Sequence, residues 1–199
     1  MFKKLEFRVK KNFICLAIGL VLSGAAMSQN LLSRDESDAC EAILCLSSGQ
    51  RPSQCEPPIR RYFSISYRKL SDTLKGRADF LRLCPVAKTD SKMAGLTDAI
   101  VNGAGRCDAA SLNANQMVWQ GIGGESRTYI SNSMPAACTT LVTHAYTDLK
   151  PTMPLYVGVP ERQGYWVAPS EYAKAVQGYN VRIAAEDMAA KQVSNSGGG

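Results

Sequence analysis

Apolar residues recur at helical spacing along most of this chain, and the densest pattern lies between Cys40 and Pro85. Ser33 and Glu36 stand at capping-box spacing, each side chain able to satisfy the other's free backbone N–H. Asp35, Glu36 and Asp38 follow in the first turns, where a helix dipole favours negative charge. At ~100° per residue, Ala39, Ile43 and Leu46 share a face, with Cys40 and Leu44 beside it. Glu41 and Ser48 leave only a narrow polar stripe, so the pattern predicts a helix buried on most sides and ended by Gly49 and Pro52. The tandem Pro57-Pro58 suits a first helical turn and predicts a second helix from about Pro57 to Tyr67. Ile59, Tyr62 and Phe63 line one of its faces, and Arg60 and Arg61 the other. A third helix, Ser71 to Leu83, carries the stripe Leu74, Ala78 and Leu81, with Cys84 following and Pro85 as the stop.

Downstream the pattern is less regular. Ser91 to Ala104 predicts a fourth helix with Met93, Leu96, Ile100 and Val101 inward and glycines at its end. A polar region runs from Cys107 to Asn115, and residues 116–124 mix apolar residues with glycine in no assignable period. Pro135 to Tyr146 reads as a short helix with Cys138, Leu141, Val142 and Ala145 inward, although its β-branched content leaves a strand open. Pro154–Val159 and Gly164–Ala168 read as two short strands joined by Pro-Glu-Arg-Gln into a hairpin. A last helix begins at Ser170, with Tyr172, Ala175, Val176 and Tyr179 on one face and an end blurred by Gly178. Residues 186–199 have the composition of a flexible tail.

The N-terminus changes how charge and cysteines are read. Lys3, Lys4, Arg8, Lys10 and Lys11 precede an almost wholly apolar stretch from Asn12 to Ala26, and Gly24, Ala25, Ala26 and Ser28 supply small residues. That order predicts a secretory signal peptide, 1–28, cleaved after Ala26-Met27-Ser28. The rival reading is an uncleaved anchor, but the apolar run of about 15 residues falls short of the ~20 that span a bilayer. Cys15 lacks preceding small residues, which argues against lipid attachment there. The full chain carries a formal charge of +6, but the leader holds five basic residues and one acidic, leaving 18 basic and 16 acidic residues downstream. The basic balance therefore reports the leader and gives no ground for nucleic-acid binding. No second apolar run implies membrane insertion once the leader is removed, and residues 29–185 suit a single domain.

Without Cys15, six cysteines remain: Cys40, Cys45, Cys55, Cys84, Cys107 and Cys138. An even number in an exported chain reads as a disulfide framework. Metal binding is the weaker reading, because there is no Cys-x-x-Cys pair and the single histidine, His144, is not spaced as a partner. No metal or cofactor is implied. Six cysteines allow fifteen pairings, and sequence does not choose among them. Helix geometry favours one scheme. Cys40 and Cys45 lie ~140° apart on the first helix and so reach different partners. The short loop after Gly49 returns Cys55 to Cys45, Cys40 faces Cys84 on the third helix, and Cys107 and Cys138 are left for each other. The expected fold class is mainly α, a disulfide-linked helical domain with a small C-terminal β-hairpin.

Three groups of residues carry candidate chemistry. His144 would have to serve any Ser-His-Asp or Cys-His site, yet it sits in a core-like segment and reads as structural. Glu125-Ser126 after Gly123-Gly124 evokes the acid of a lysozyme-like enzyme, but the helix and the downstream Gly and Gln residues of such motifs are missing. Tyr156, Tyr165 and Trp166 form either the faces of a packed hairpin or an exposed partner-binding cluster. Arg60 and Arg61, with Arg68, Lys69 and Arg77, make a basic face that is either solvated surface or a second candidate partner contact.

The run CEAILCLSSGQRPSQCEPPIRRYFSI, followed by RADFLRLCP and later by YVG and GYWV before a Tyr-rich helix, resembles the TrbM/KikA/MpfK family of conjugal transfer proteins. The resemblance covers roughly Asp38 to Asn180, and Gln54 departs from it where an acidic residue is expected. It implies an exported, periplasmic accessory factor of plasmid conjugation. Such a factor acts with type IV secretion and pilus-assembly proteins in mating-pair formation and has no catalytic residues. The competing expectation is a periplasmic peptidoglycan-acting enzyme built on Glu125.

Overall fold

A computed structural model describes residues 32–122 and 125–196. The expected leader, 1–28, lies outside the described residues. Helix α1, Arg34–Ser47, starts at a complete capping box: the Ser33 N–H donates to Glu36 Oε2 at 2.8 Å, and the Glu36 N–H donates to Ser33 Oγ at 3.3 Å. Ala39, Ala42, Ile43 and Leu46 are buried, but Leu44 is 66% exposed, so the helix is one-sided rather than buried all round. Asp148 holds its C-terminal end, accepting from the Gly49 N–H at 2.5 Å and from Ser48 Oγ at 3.2 Å.

Helix α2, Glu56–Ser64, places both prolines in its first turn, where no backbone donor is needed, and stops three residues short of the expected Tyr67. The Tyr67 N–H donates instead to Thr73 Oγ1 at 2.8 Å, in the first turn of α3, Leu70–Leu81. Helix α3 ends at Leu81, two residues short of the expected Leu83, with Arg82 as its C-cap, and Pro85 instead precedes a single turn, α4, Val86–Thr89. Asp90 caps α5, Ser91–Gly103, by accepting from the N–H groups of Lys92 and Met93. These helices enclose the main core around Tyr62, Ile43, Leu46, Leu81 and Ile100. Tyr62 is fully buried, its ring covered by the Arg77 guanidinium at 5.0 Å, and burial pushes its hydroxyl pKa up to about 12.

The polar stretch after Cys107 contains a helix that its composition did not suggest. This is α6, Ala109–Asn115, capped by Asp108, which accepts from the Ser111 N–H at 2.9 Å. Two strands, β1, Met117–Ile122, and β2, Glu125–Ile130, pair as an antiparallel ribbon in a region with no sequence assignment. Helix α7, Ala136–Thr143, buries Cys138 and Leu141, whereas Ala145 lies beyond its end and is exposed. The C-terminal hairpin pairs β3, Leu155–Val157, with β4, Tyr165–Val167, through a loop longer than four residues that contains a turn of 3-10 helix. Helix α8, Tyr172–Ser196, does not fade at the expected flexible tail of 186–199 but stays helical through Ser196.

Three disulfides staple this arrangement. Cys40–Cys84 joins α1 to the end of α3, Cys45–Cys55 clips the loop between α1 and α2, and Cys107–Cys138 joins the start of α6 to α7. The third lies in a second, smaller core with Leu112 and Trp166. The fold is therefore mainly α, with the small antiparallel C-terminal strand pair set on a disulfide-linked helical body.

Candidate partner-binding surface

The C-terminal hairpin turns its aromatic pair inward. Tyr156 and Trp166 are cross-strand partners whose rings meet edge to face at 5.2 Å. Trp166 is 5% exposed, and its Nε1–H donates to the Ser131 carbonyl at 2.9 Å. Asn113 of α6 locks its backbone from both sides, accepting from the Trp166 N–H and donating to the Trp166 carbonyl, each at 2.8 Å. The Tyr156 hydroxyl donates to the Ile130 carbonyl at 2.6 Å, and burial, with Glu161 and Tyr179 nearby, pushes its pKa up to about 12. A buried indole and a half-buried phenol with satisfied polar ends fix β4 against α6 and the end of β2. Tyr165 points elsewhere: it is half-buried and lines a shallow cleft.

The basic face is also largely engaged. Arg61 bridges Asp38 at 2.6 Å and Asp35 at 2.8 Å while lying 5.0 Å over the Phe80 ring, so it ties α2 to α1 and α3. Arg60 pairs with Glu56 one turn back and stays exposed. Arg77 donates to the Ile65 carbonyl at 3.1 Å and stacks on Tyr62 and Phe63.

The enzyme candidates fare differently. His144 closes α7, and its Nδ1 accepts from the Tyr146 N–H at 3.2 Å, which occupies one of the two ring nitrogens in a local turn. Glu125 opens β2 opposite Ile122, on a strand rather than at a helix end. Among the described residues, no group of three or more His, Cys, Asp or Glu is placed to hold a metal ion. No described helix is long and apolar enough to cross a membrane.

Two clefts, among others at the surface, differ in their lining. A cleft of about 480 Å3 is lined by Leu46, Phe63, Leu141, Leu149 and the Gly103–Gly105 backbone. Its carboxylate, Asp108, is committed to Ser111: burial opposes ionisation, but those hydrogen bonds hold its pKa below the usual carboxylate value. The second cleft, about 200 Å3, lies between the β1–β2 ribbon and the β3–β4 loop, with Met117, Thr128, Ile130 and Tyr165 in its wall. Beside it, Trp119 is 72% exposed, on the same strand face as exposed Met117. An exposed tryptophan next to a methionine and a tyrosine-lined cleft is the composition of protein–protein hot spots, where large rigid aromatics anchor a partner. Sequence reading missed Trp119 because glycines blurred the period. The available signal was Val118-Trp119 and Thr128-Tyr129-Ile130 flanking Gly123-Gly124, β-formers on both sides of a tight-turn pair.

No curated protein and no solved structure matches the chain. A protein-family model does, the TrbM model, over residues 31–180. That span takes in all three disulfides, both ribbons and the start of α8. On this match the chain belongs to the TrbM family of conjugal transfer proteins.

Proposed function

We propose that this protein is an exported accessory factor of plasmid conjugation. On this reading it works in the periplasm with a type IV secretion and pilus-assembly apparatus during mating-pair formation, through protein–protein contacts rather than catalysis. The family match carries the reading, because it ties the chain to conjugal transfer. The three disulfides support export, since such bonds persist in oxidising compartments. The basic, apolar and small-residue order of residues 1–28 supports a cleaved leader. Binding to other conjugation proteins is assigned to the Trp119 and Met117 face with Tyr165 at its edge, and exposed Arg60 offers a separate polar contact.

Deleting the gene tests this directly. Mating frequency should fall while plasmid replication and nicking of the transfer origin continue. Complementation with Glu125→Gln or His144→Ala should restore transfer, which separates this reading from a peptidoglycan-cutting enzyme. Unchanged mating on solid and in liquid medium would refute it.

A further inference from the structure

Helix α8 has two unlike faces. Ala175, Val176, Tyr179 and Ile183 are half-buried. Tyr179 seats against Gly158, whose φ of +81° and contact with that ring leave no room for a Cβ. Arg182 donates to the Arg162 carbonyl at 2.8 Å, and Arg162 pairs with Asp187 at 2.7 Å. These contacts fix one side of the helix to the hairpin loop. On the opposite side Val181 is 66% and Met188 59% exposed, and every residue from Ala184 to Asn195 is exposed.

The exposed side has an order that a random solvated face lacks. Gln177, Val181, Ala184, Ala185, Met188 and Gln192 lie within ~50° of one line along the helix at 100° per residue. Read outward from the midpoint between Ala184 and Ala185, the two directions give alanine, then a large apolar residue, then glutamine, at the same spacings. A stripe that reads alike in both directions is self-complementary to an antiparallel copy of itself, because a two-fold axis brings Val181 onto Met188 and Gln177 onto Gln192. The two alanines fall at the crossing point, where small side chains allow helix axes to approach to ~8 Å. Among the described residues, the contacts of α8 with its own body lie on the opposite side of the helix, away from this stripe.

We propose that α8 is a homodimerisation helix and that its cover is the antiparallel α8 of a second copy, centred between Ala184 and Ala185. The proposal does not depend on the conjugation reading. The second copy supplies packing to a helical half that has little of its own, and most helical stability in proteins comes from such packing. The face, sixteen residues long and ~24 Å at 1.5 Å per residue, is smaller than a standard interface, so the dimer is weak and concentration-dependent.

Sedimentation velocity on the oxidised full chain, over about a hundredfold range of concentration, reads this out. The mass should rise towards twice that of the monomer, and Val181→Glu/Met188→Glu should stay monomeric with an unchanged circular dichroism spectrum, because both side chains are exposed. Orientation is read from thiol cross-linking with a short bismaleimide. A mixture of Val181→Cys and Met188→Cys chains should cross-link between the two variants, and neither variant should do so efficiently with itself. A wild-type chain that stays monomeric throughout overturns the proposal. So does a double glutamate variant that dimerises like wild type, or efficient Val181→Cys self-linkage, which would mean parallel pairing.

Discussion

Removing the Cys40–Cys84 disulfide should cost more stability than removing Cys45–Cys55, although both belong to the same helical unit. The perturbation is the paired substitution Cys40→Ala/Cys84→Ala against Cys45→Ala/Cys55→Ala, so that no lone thiol remains to pair between chains. Cys40 and Cys84 are 44 residues apart, and Cys45 and Cys55 only 10. In the chain-entropy model a closed loop of the first size is worth ~4 kcal/mol and one of the second ~3 kcal/mol. Packing works in the same direction: Cys84 is 1% exposed inside the main core with Cys40 packed against it, whereas Cys45 and Cys55, although buried, lie outside that cluster. Each lost kcal/mol lowers the melting temperature of a domain this size by roughly 2–4 °C, so the first variant should melt ~8–16 °C below wild type. Urea unfolding followed by far-ultraviolet circular dichroism measures both variants, and each should also show a steeper denaturant dependence as its unfolded chain expands. If the Cys45→Ala/Cys55→Ala variant is as unstable as the Cys40→Ala/Cys84→Ala variant, loop length and core burial do not set the ranking, and the reasoning fails.

The two tryptophans should separate structure from recognition. Trp166→Ala removes a buried, hydrogen-bonded indole and should cost ~3–5 kcal/mol by chemical denaturation. Trp119→Ala should change stability by less than ~0.5 kcal/mol yet lower mating frequency, and normal mating would remove the ribbon face from the functional reading. Alkaline pH should destabilise the fold through Tyr62 and Tyr156. Their folded pKa values, pushed up to about 12 from 10.0, mean that the folded state holds its protons more tightly, so their contribution is complete below pH 10 and is lost as pH rises towards 12. Phenolate absorbance followed alongside unfolding checks this, and Tyr62→Phe should flatten the decline.

Where one helix face had to be apolar and local signals marked its ends, the sequence was easy to read. Ser33 with Glu36 announced α1, Pro57-Pro58 announced α2, and the stripe through Leu96 and Ile100 announced α5. Short elements were harder. Helix α6 is seven residues long and buries a single side chain, Leu112, so its capping Asp108 was the only strong cue, and the β1–β2 ribbon hid behind glycines. Helix α8 outran its composition because Tyr179, Arg182 and Asp187 hold it to the hairpin loop past Gly178.

The candidate site depended on tertiary structure more heavily. By itself the sequence determined the helical character, the number of cysteines available for disulfides and the family, all of which rest on local period, residue counts and motif spacing. Which aromatic is exposed and which faces the core is not a local property. Trp166 and Trp119 both sit on short strands, and nothing within either strand says which one is covered. Asn113 and the Ser131 carbonyl decide it, 53 and 35 residues away from Trp166. Arg61 likewise reads as a free cation until α1 brings Asp35 and Asp38 beside it. Burial and charge pairing are sums over neighbours distant in sequence, so only the folded chain could assign them.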